Sequence, residues 1–364
     1  MEAKTYIVNP IPPKAYTWSW LKINNDSVTI DFDIDKTYLT AKDLPKGVTI
    51  KNQNEIETKL EKPNTGSGKI WDELFSENDQ IITIDGEIKS PVMFSLNVKD
   101  GTNTSNVHVI HAMPGSKATV ILYSTSDSTS SNEETGGFNA TQTKIYAEKD
   151  SEIKLIKIQM IGKNFNLIDE TSSVTGENAK IFAKVVNLGG SHIDSGIHTD
   201  LRGNNSEYTL DFAYLCQHTQ YLDMNHEVDH IGTKTICQMN VDGTLMHEAT
   251  KIYRGTIDLQ NGSSGSDGNE VENCLVLSPK TVNKSMPIII CSHDDVHGEH
   301  GSTIGRIAPD IMFYMQSRGI SKKRAKMLIA KAKLQAIISE IENEELNEKV
   351  SDYVENAFAG ENNE

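Results

Sequence analysis

The feature that most limits the fold of this chain is a series of short apolar segments that begins at Gln80 and continues to about Val296. The segments are rich in β-branched residues and are separated by clusters of Gly, Asn, Asp and Ser. The segments lie at 81–84, 92–98, 107–110, 118–123, 153–160, 181–186, 208–215 and 274–277, and the turn clusters lie at 99–103, 175–178, 203–206 and 261–268. This pattern predicts an all-β body. A sandwich and a solenoid both fit, and the polar turns favour a parallel β-helix.

The segments that flank the β-rich body differ in composition. The first 78 residues are polar, and their prolines break any long element, so we predict an irregular or helical region. Within it, Tyr16, Trp18 and Trp20 are interpreted as an aromatic plug over one end of the core. Residues 124–137 are nearly all small or polar and predict a long exposed loop or a disordered excursion. The predicted division is therefore 1–78, a β-helix core at 79–305 and a helical region at 306–364.

Helical periodicity appears after Pro309. Pro309 suits the first turn of a helix over 308–319, and Gly319 is placed to end it. Ser321 is placed to cap a second helix that reaches residue 338. In that helix the apolar residues follow helical spacing and predict one stripe: Ala325, Leu328, Ile329, Ala332, Ala336 and Ile337.

Charge and composition exclude several classes of partner. Lys and Arg number 35 and Asp and Glu number 51, which gives a net charge of −16, so nucleic acid and anionic lipid are repelled. No apolar run approaches the roughly 18 residues that a membrane span needs, so no membrane is expected. The start of the sequence has no apolar signal region, which predicts a cytoplasmic protein. The four cysteines form no C-x-x-C pair and indicate neither a zinc ribbon nor a disulfide framework.

Histidines and carboxylates cluster in two places. His226 and His230 share one face in either a helix or a strand. Cys291, His293 and the residues at 295 and 297 share one strand face if that stretch is extended, and they offer metal-ligand chemistry. Hydrogen bonding at turns is the structural alternative for both groups. No phosphate-binding loop, G-x-S-x-G or H-E-x-x-H motif is present, so no nucleotide site is indicated.

Four ordered motifs in the second half of the chain carry a family resemblance. They are Asn-His-Glu-Val-Asp-His-Ile-Gly at 225–232, Tyr-Arg-Gly-Thr-Ile at 253–257, Asp-Asp-Val-His-Gly-Glu-His-Gly-Ser-Thr-Ile-Gly at 294–305, and Phe-Tyr-Met-Gln-Ser-Arg-Gly-Ile-Ser at 313–321. In order and spacing they resemble the SufB/SufD family of iron-sulfur cluster assembly proteins. The resemblance is strong over 225–337, looser in the β-rich middle and faint at 11–21, which looks like the opening of SufD-type members.

The resemblance implies a right-handed parallel β-helix with helical flanks that works as a non-enzymatic scaffold subunit. Such a subunit pairs with a SufB-type paralogue or with itself, and it docks a SufC-like ABC ATPase, with a cysteine desulfurase system acting indirectly. The iron-sulfur cluster is implied to be transient and shared with the partner, and none is expected to be tightly bound by the isolated chain. The docking residues implied in the C-terminal helices are Phe313, Tyr314, Arg318, Gly319, Leu328 and Ile329.

The motif at 294–305 favours a SufD-like role. Some SufB members have Asp-Asp-Val-Lys-Cys-Ser-His-Gly there, whereas Gly298 occupies the cysteine position in this chain. The resemblance makes His300 and Glu299 candidate iron or cluster ligands. Glu272 stands where a SufB sulfur-acceptor cysteine is expected, with Cys274 two residues on, so Glu272, Cys274 and Cys291 are secondary candidates. A one-paralogue system using Cys274 or Cys291 stays open.

A second class of function stays open beside the scaffold. The histidines and carboxylates also fit a metal-dependent or carbohydrate-active β-helix enzyme. The two readings differ in what they predict for the isolated chain, because only the enzyme would turn over a substrate by itself.

Overall fold

The computed structural model of the chain describes residues 3–127, 136–339 and 343–359. Twenty strands and four α-helices lie in this part of the chain. The strands are β1 (Lys4–Val8), β2 (Asp26–Ile30), β3 (Asp35–Lys36), β4 (Val48–Lys51), β5 (Gln80–Ile84), β6 (Val92–Val98), β7 (Asn103–Ala112), β8 (Lys117–Ser126), β9 (Gly137–Ala147), β10 (Glu152–Met160), β11 (Phe165–Thr175), β12 (Lys180–Asn187), β13 (His192–Leu201), β14 (Glu207–Cys216), β15 (Tyr221–His230), β16 (Ile236–Leu245), β17 (Thr250–Leu259), β18 (Ser266–Val276), β19 (Val282–Cys291) and β20 (Val296–Gly305). The helices are α1 (Ile70–Leu74), α2 (Pro309–Ser317), α3 (Lys322–Ile338) and α4 (Glu344–Ala359).

The strands from β5 onward form a parallel β-solenoid. The even-numbered strands from β6 to β20 form one sheet, which we call the even sheet, and the odd-numbered strands from β5 to β19 form the odd sheet. Consecutive strands therefore lie in different sheets, and each pair of strands makes one coil. At the start of the odd sheet β4 adds antiparallel to β5, and β3 pairs with β7. The prediction of a mainly β protein with a parallel β-helix body is confirmed.

Stacked apolar side chains fill the space between the two sheets. One inner ladder of the even sheet runs through Val120, Leu155, Ala183, Leu210 and Met239, which occupy the same position on successive strands and are all buried. Side chains alternate between the two faces of a strand, so every second residue of each coil joins such a ladder. Each coil thus buries apolar surface against its neighbours rather than forming a core of its own.

Part of each outer face of the solenoid is covered by the flanking regions. On the even sheet, the outward residues Ile158 and Ala213 belong to an apolar cluster with Leu334 of α3 and Val354 of α4. On the odd sheet, β1, β2 and α1 supply the cover, and the buried Trp71 of α1 belongs to a cluster that includes outward residues of β7, β9 and β11. The regions before β5 and after β20 therefore pack along the sides of the solenoid.

Some details differ from the sequence predictions. The N-terminal region contains four strands and is less irregular than predicted. The aromatic plug is wrong, because Trp18 and Trp20 are 73% and 70% exposed and stack on each other at 6.0 Å between ring centroids. The predicted loop at 124–137 begins too early, since Ser124 and Ser126 are buried in β8; its centre lies outside the described residues.

The helical region begins where the sequence indicates. The helices expected over 308–319 and 321–338 correspond to α2 and α3, and α4 was not predicted. The strand content likewise changes close to residue 79 and residue 305, although the division of the chain into separate domains remains a prediction. Among the described helices none is long and apolar enough to cross a membrane.

Candidate functional site

The last coil of the solenoid leaves two strand edges open. In the part of the chain that the structure describes, β19 pairs only with β17, and β20 pairs only with β18. The opposite end of the odd sheet differs, because β4 is added there. No further coil among the described residues covers the inward positions of β19 and β20, at the end of the solenoid that we call the open end.

The principal site candidate lies on the open end. His300 is exposed at an inward position of β20, directly beside Glu270 of β18 in the parallel ladder. Glu299 was grouped with it, but neighbouring residues of a strand point to opposite faces. Glu299 instead lies 3.3 Å from Nε2 of His297, whose Nδ1 lies 3.1 Å from Asp267. The structure therefore brings Glu270, rather than Glu299, to the face that carries His300.

Glu272 is a buried hydrogen-bonding centre directly below the open end. Its carboxylate accepts hydrogen bonds from Nζ of Lys251, from the hydroxyl of Ser285 at 3.0 Å and from the hydroxyl of Ser302 at 2.9 Å. Lys251 also donates to Ser285 at 3.0 Å. The four residues belong to β17, β18, β19 and β20, so one ion pair and its hydrogen bonds join the last two coils. A buried carboxylate paired and hydrogen-bonded in this way is satisfied without a metal.

Glu270 is less well satisfied than Glu272. Neither of its carboxylate oxygens has a hydrogen-bond partner, although the side chain is buried. Burial raises the pKa of Glu270 to about 7, an effect that the neighbouring Tyr253 hydroxyl opposes and Glu272 reinforces. The side chain fits only because position 255 is glycine, where a Cβ would lie 2.0 Å from Oε1 of Glu270. A carboxyl group that can be neutral or charged near neutral pH is suited to proton exchange or cation binding.

The four cysteines divide sharply by burial. Cys216, Cys237 and Cys274 are buried, whereas Cys291 is exposed at the end of β19. Burial raises the pKa of Cys274, which keeps it a thiol rather than the nucleophilic thiolate. Cys291 is thus the cysteine that a partner molecule can reach, and its Sγ lies 3.2 Å from the carbonyl oxygen of His293.

The two histidine groups have different outcomes. His226 and His230 do share one face of β15, which points into the solenoid. Burial lowers the pKa of His226 to about 3 and that of His230 to about 4, so both are neutral core residues. The group from Cys291 to His297 does not form one strand face, because the chain turns between β19 and β20 and places its two ends in different sheets.

The residues predicted to bind a partner lie on two helices with different exposure. Phe313 and Tyr314 of α2 are 73% and 58% exposed, and the Arg318 guanidinium lies 5.3 Å from the centre of the Tyr314 ring. Gly319 has a φ of +82°, which suits the end of α2. Leu328 and Ile329 of α3 are half-buried.

The apolar stripe predicted on α3 differs from the face that this helix buries. The buried residues of this helix are Ala325, Met327, Ala330, Leu334 and Ile338, and they pack against the even sheet and α4. Of the predicted stripe only Ala325 is buried, Ala332 is exposed, and the side chains of Ala336 and Ile337 lie outside the described residues. The exposed apolar surface of this region therefore lies on α2.

Sequence reasoning missed Glu270, Lys251 and Tyr253. Glu270 could have been found from the sequence, because it lies two residues before Glu272 and a strand places both side chains on one face. Lys251 had none, because a lysine in a strand ordinarily predicts an outward position. Its inward position follows from the alternation of side chains along β17, where Lys251 shares a face with the core residues Tyr253 and Ile257.

Comparisons with known proteins agree with this architecture. Residues 94–333 match the family described as SUF system FeS cluster assembly, SufBD core domain. The chain is 26% identical to the iron-sulfur cluster assembly protein SufD of Bacillus subtilis over 129 residues, which are 35% of this chain and 30% of that protein. It is 25% identical to SufD of Escherichia coli over 176 residues, 48% of this chain and 41% of that protein.

A SufBD family protein of Pyrococcus horikoshii is 25% identical over 200 residues, 55% of this chain and 44% of that protein. The matches thus span less than half the length of each of these relatives. The family match covers about two thirds of this chain and includes β7 to β20 with the open end. The chain therefore belongs to the SufB/SufD family of SUF-system iron-sulfur cluster assembly proteins.

Proposed function

We propose that this chain is a SufD-like scaffold subunit that pairs through the open end of its solenoid, either with a SufB-type paralogue or with a second copy of itself. The iron-sulfur cluster is the cargo of this pair and forms transiently between the two subunits, with sulfur supplied indirectly by a cysteine desulfurase. The subunit itself carries out no catalysis and works in the cytoplasm.

The open end is the observation that carries the proposal. Unpaired strand edges are a liability in soluble proteins unless they are blunted, covered or paired with another chain. The edges of β19 and β20 are each ten residues long and lie at the same end. Pairing with a partner would satisfy these backbone groups and bring its side chains next to His300.

The accessible side chains support the SufD-like side of the proposal. His300 is exposed, and a neutral imidazole is a good ligand for iron. Cys274 is buried as a thiol, so sulfur chemistry falls to the partner. In a one-paralogue system Cys291 would be the cysteine available to take part, with Glu272 holding the last coils together rather than binding iron.

A test of the site uses two histidines on the same strand. His300→Ala should lower the cluster content of the complex co-expressed with a SufB-type paralogue and an ABC ATPase, measured by anaerobic visible absorption and by iron and sulfide analysis. His297→Ala is the matched control, because His297 is also exposed on β20 but points to the opposite face. Equal cluster content in both variants would end the ligand role of His300. A loss of the complex itself would show a structural role instead.

We propose further that α2 docks a SufC-like ABC ATPase, with Phe313, Tyr314 and the half-buried Leu328 and Ile329 at the contact. The exposed aromatic pair is the support, since buried aromatic anchors dominate protein interfaces. Phe313→Asp should weaken ATPase binding by about 30-fold or more, as expected for an anchor worth about 2 kcal/mol. Ile7→Asp is the control, because Ile7 is 61% exposed on β1.

Calorimetric titration of the purified ATPase into each variant separates the outcomes. Unchanged affinity for Phe313→Asp, or an equal loss for Ile7→Asp, would contradict docking through α2. The enzyme alternative makes a different prediction. Turnover of ATP or of a polysaccharide by the isolated chain would replace the scaffold proposal.

A further inference from the structure

A second group of ionisable side chains lies on the outer face of the odd sheet, away from the open end. His198 on β13 is directly beside Glu227 on β15 in the parallel ladder. Asp200, Asp229 and Asp258 form the adjacent ladder across β13, β15 and β17. One histidine and four carboxylates therefore meet on three neighbouring strands, none of which is a terminal strand of the sheet.

The carboxylate oxygens around His198 lie farther from its ring nitrogens than in an ordinary hydrogen bond. Its side chain is 7% exposed, and neither ring nitrogen has a hydrogen-bond partner. Nε2 lies 3.3 Å from Asp200 and 3.4 Å from Asp229, and Nδ1 lies 3.6 Å from Glu227. Atoms that share a metal at about 2.1 Å are roughly 3.0 to 3.4 Å apart, which the separations of Nε2 from Asp200 and Asp229 match. Glu227 lies nearer to the other ring nitrogen, at 3.6 Å from Nδ1.

Two of the four carboxylates, Glu227 and Asp229, have no Lys or Arg partner among the described ion pairs. Asp200 pairs with Arg202 at 2.8 Å, and Asp258 pairs with Lys14 at 2.9 Å. For Glu227 and Asp229 the described ion pairs involve only His198. Glu227 and Asp229 are 13% and 10% exposed in their side chains, and burying two like charges so close together is costly without a compensating charge. A single imidazolium would neutralise only one of them.

We propose that His198, Glu227 and Asp229 bind one divalent transition-metal ion. Each residue offers one ligand atom, and the three atoms lie within 4.8 Å of one another. One imidazole and two carboxylates suit first-row ions such as Mn²⁺, Fe²⁺, Co²⁺ and Zn²⁺ better than Ca²⁺ or Mg²⁺, which prefer oxygen ligands alone. The ion would balance both carboxylates and join β13 to β15.

A similar histidine on the same strand provides a control. His192 of β13 also lies between two carboxylates, Asp26 and Asp194. Its Nε2, however, is 2.9 Å from Asp26 and forms a hydrogen bond, and its ring stacks on Tyr221. The neighbouring buried carboxylate of Asp223 already has a cation in Arg254. His192 therefore has a hydrogen-bond partner among the protein groups, whereas His198 contacts its carboxylates only at ion-pair distances of 3.3 to 3.6 Å.

The test is titration of Co²⁺ into the full-length, tag-free, chelator-treated protein, followed by visible absorption and calorimetry. A Cys291→Ser, His297→Ala, His300→Ala background removes the exposed thiol and the two exposed imidazoles of the open end, so that failure of the scaffold proposal and failure of this site are separate results. We expect one Co²⁺ per chain in this background. Glu227→Gln and His198→Gln should lower the affinity by about tenfold or more, and His192→Gln should leave it unchanged.

Glu227→Gln carries the decision if His198→Gln fails to fold, because the described contact of Glu227 with His198, at 3.6 Å, is too long for a hydrogen bond. Circular dichroism and thermal unfolding establish that each variant is folded. Binding that survives both ligand substitutions, an equal loss in His192→Gln, or no stoichiometric binding at all would overturn the site. Ca²⁺ binding as tight as that of Co²⁺ would overturn the role of the imidazole.

Discussion

Asp223 and Arg254 form a buried ion pair where the N-terminal segment meets the odd sheet, and replacing Asp223 by Asn should destabilise the protein strongly. Both side chains are fully buried, and Nη2 of Arg254 lies 3.0 Å from Oδ2 of Asp223. Asn9 also donates to Oδ1 of Asp223 at 2.8 Å, and Nε of Arg254 donates to the carbonyl of Ile23. The pair therefore holds two parts of the N-terminal segment against β15 and β17.

The expected cost follows from the charge that is left behind. Removing one member of a buried ion pair usually costs about 3–5 kcal/mol, because the remaining charge is uncompensated. Arg254 would keep the carbonyl of Ile23 and, at 3.4 Å, that of Met224, so we expect the lower end of the range, about 3 kcal/mol. This is a large part of the roughly 5–15 kcal/mol by which a domain is usually stable.

Urea unfolding and hydrogen exchange test this prediction together. Asp223→Asn should lower the free energy of unfolding and increase exchange in residues 6–30 before the solenoid core is affected. Asp31→Asn is the control, since Asp31 is exposed and should change stability by no more than about 0.5 kcal/mol. The double variant Asp223→Leu, Arg254→Met should recover most of the loss. A loss below about 1 kcal/mol in Asp223→Asn, or a double variant as unstable as the single one, would refute the reasoning.

Two further predictions concern buried groups elsewhere in the solenoid. Burial lowers the pKa of Lys144 to about 8 in the folded protein, from 10.5 in the unfolded chain. The buried charge therefore destabilises the fold fully below pH 8, and this cost disappears as the pH rises to 10.5. Lys144→Met should therefore stabilise the protein against chemical denaturation at pH 7 by about 2 kcal/mol, a figure that allows for the lost hydrogen bond to Asn78. Lys154→Met is the control, because Lys154 is exposed. An equal gain in stability at pH 10, or in the control, would contradict this prediction. Gly255→Ala should lower the free energy of unfolding by about 1–3 kcal/mol, because the added Cβ would collide with Glu270. Adding Glu270→Ala to the same chain should relieve this loss. Strictly additive effects of the two substitutions in thermal unfolding would argue against the collision.

The sequence predicted one sheet of the solenoid much better than the other. Six of the eight apolar segments correspond to even-sheet strands, among them β10, whose outward residues Ile156 and Ile158 pack under the C-terminal helices. Such strands carry apolar residues on both faces, which makes them visible as apolar segments. In the odd sheet β11 carries Asp169, Glu170 and Ser172, all buried, so it reads as polar in sequence. Glu170 is buried because the backbone amides of residues 66 and 67 donate to it, and no local pattern reveals that contact.

Residues of the candidate site that lie on one strand could be predicted from the sequence. Residues that come together only through the register between neighbouring strands could not. The motif at 294–305 located His300, which lies exposed on the last strand. The same motif suggested Glu299 as its companion, because neighbours in sequence are easily taken for neighbours in space. Side-chain alternation separates them, and the actual companion, Glu270, is 30 residues earlier in the chain. Long-range pairing of this kind follows from the length of the coil rather than from any residue type.

From β14 to β20, two inner ladders of the even sheet change from apolar to polar and ionisable side chains towards the open end. One inner ladder runs from Leu210 through Met239 to Glu270 and His300, and the next runs from Phe212 through Val241 to Glu272 and Ser302. The change falls at the same strand, β18, in both ladders. Burying carboxylates is unfavourable, and a permanently apolar subunit contact would be served better by continuing the apolar rungs. The two ladders instead bring carboxyl, hydroxyl and imidazole groups to the surface where the strand edges are open, so pairing through this end would enclose groups that can bind a cation or exchange protons.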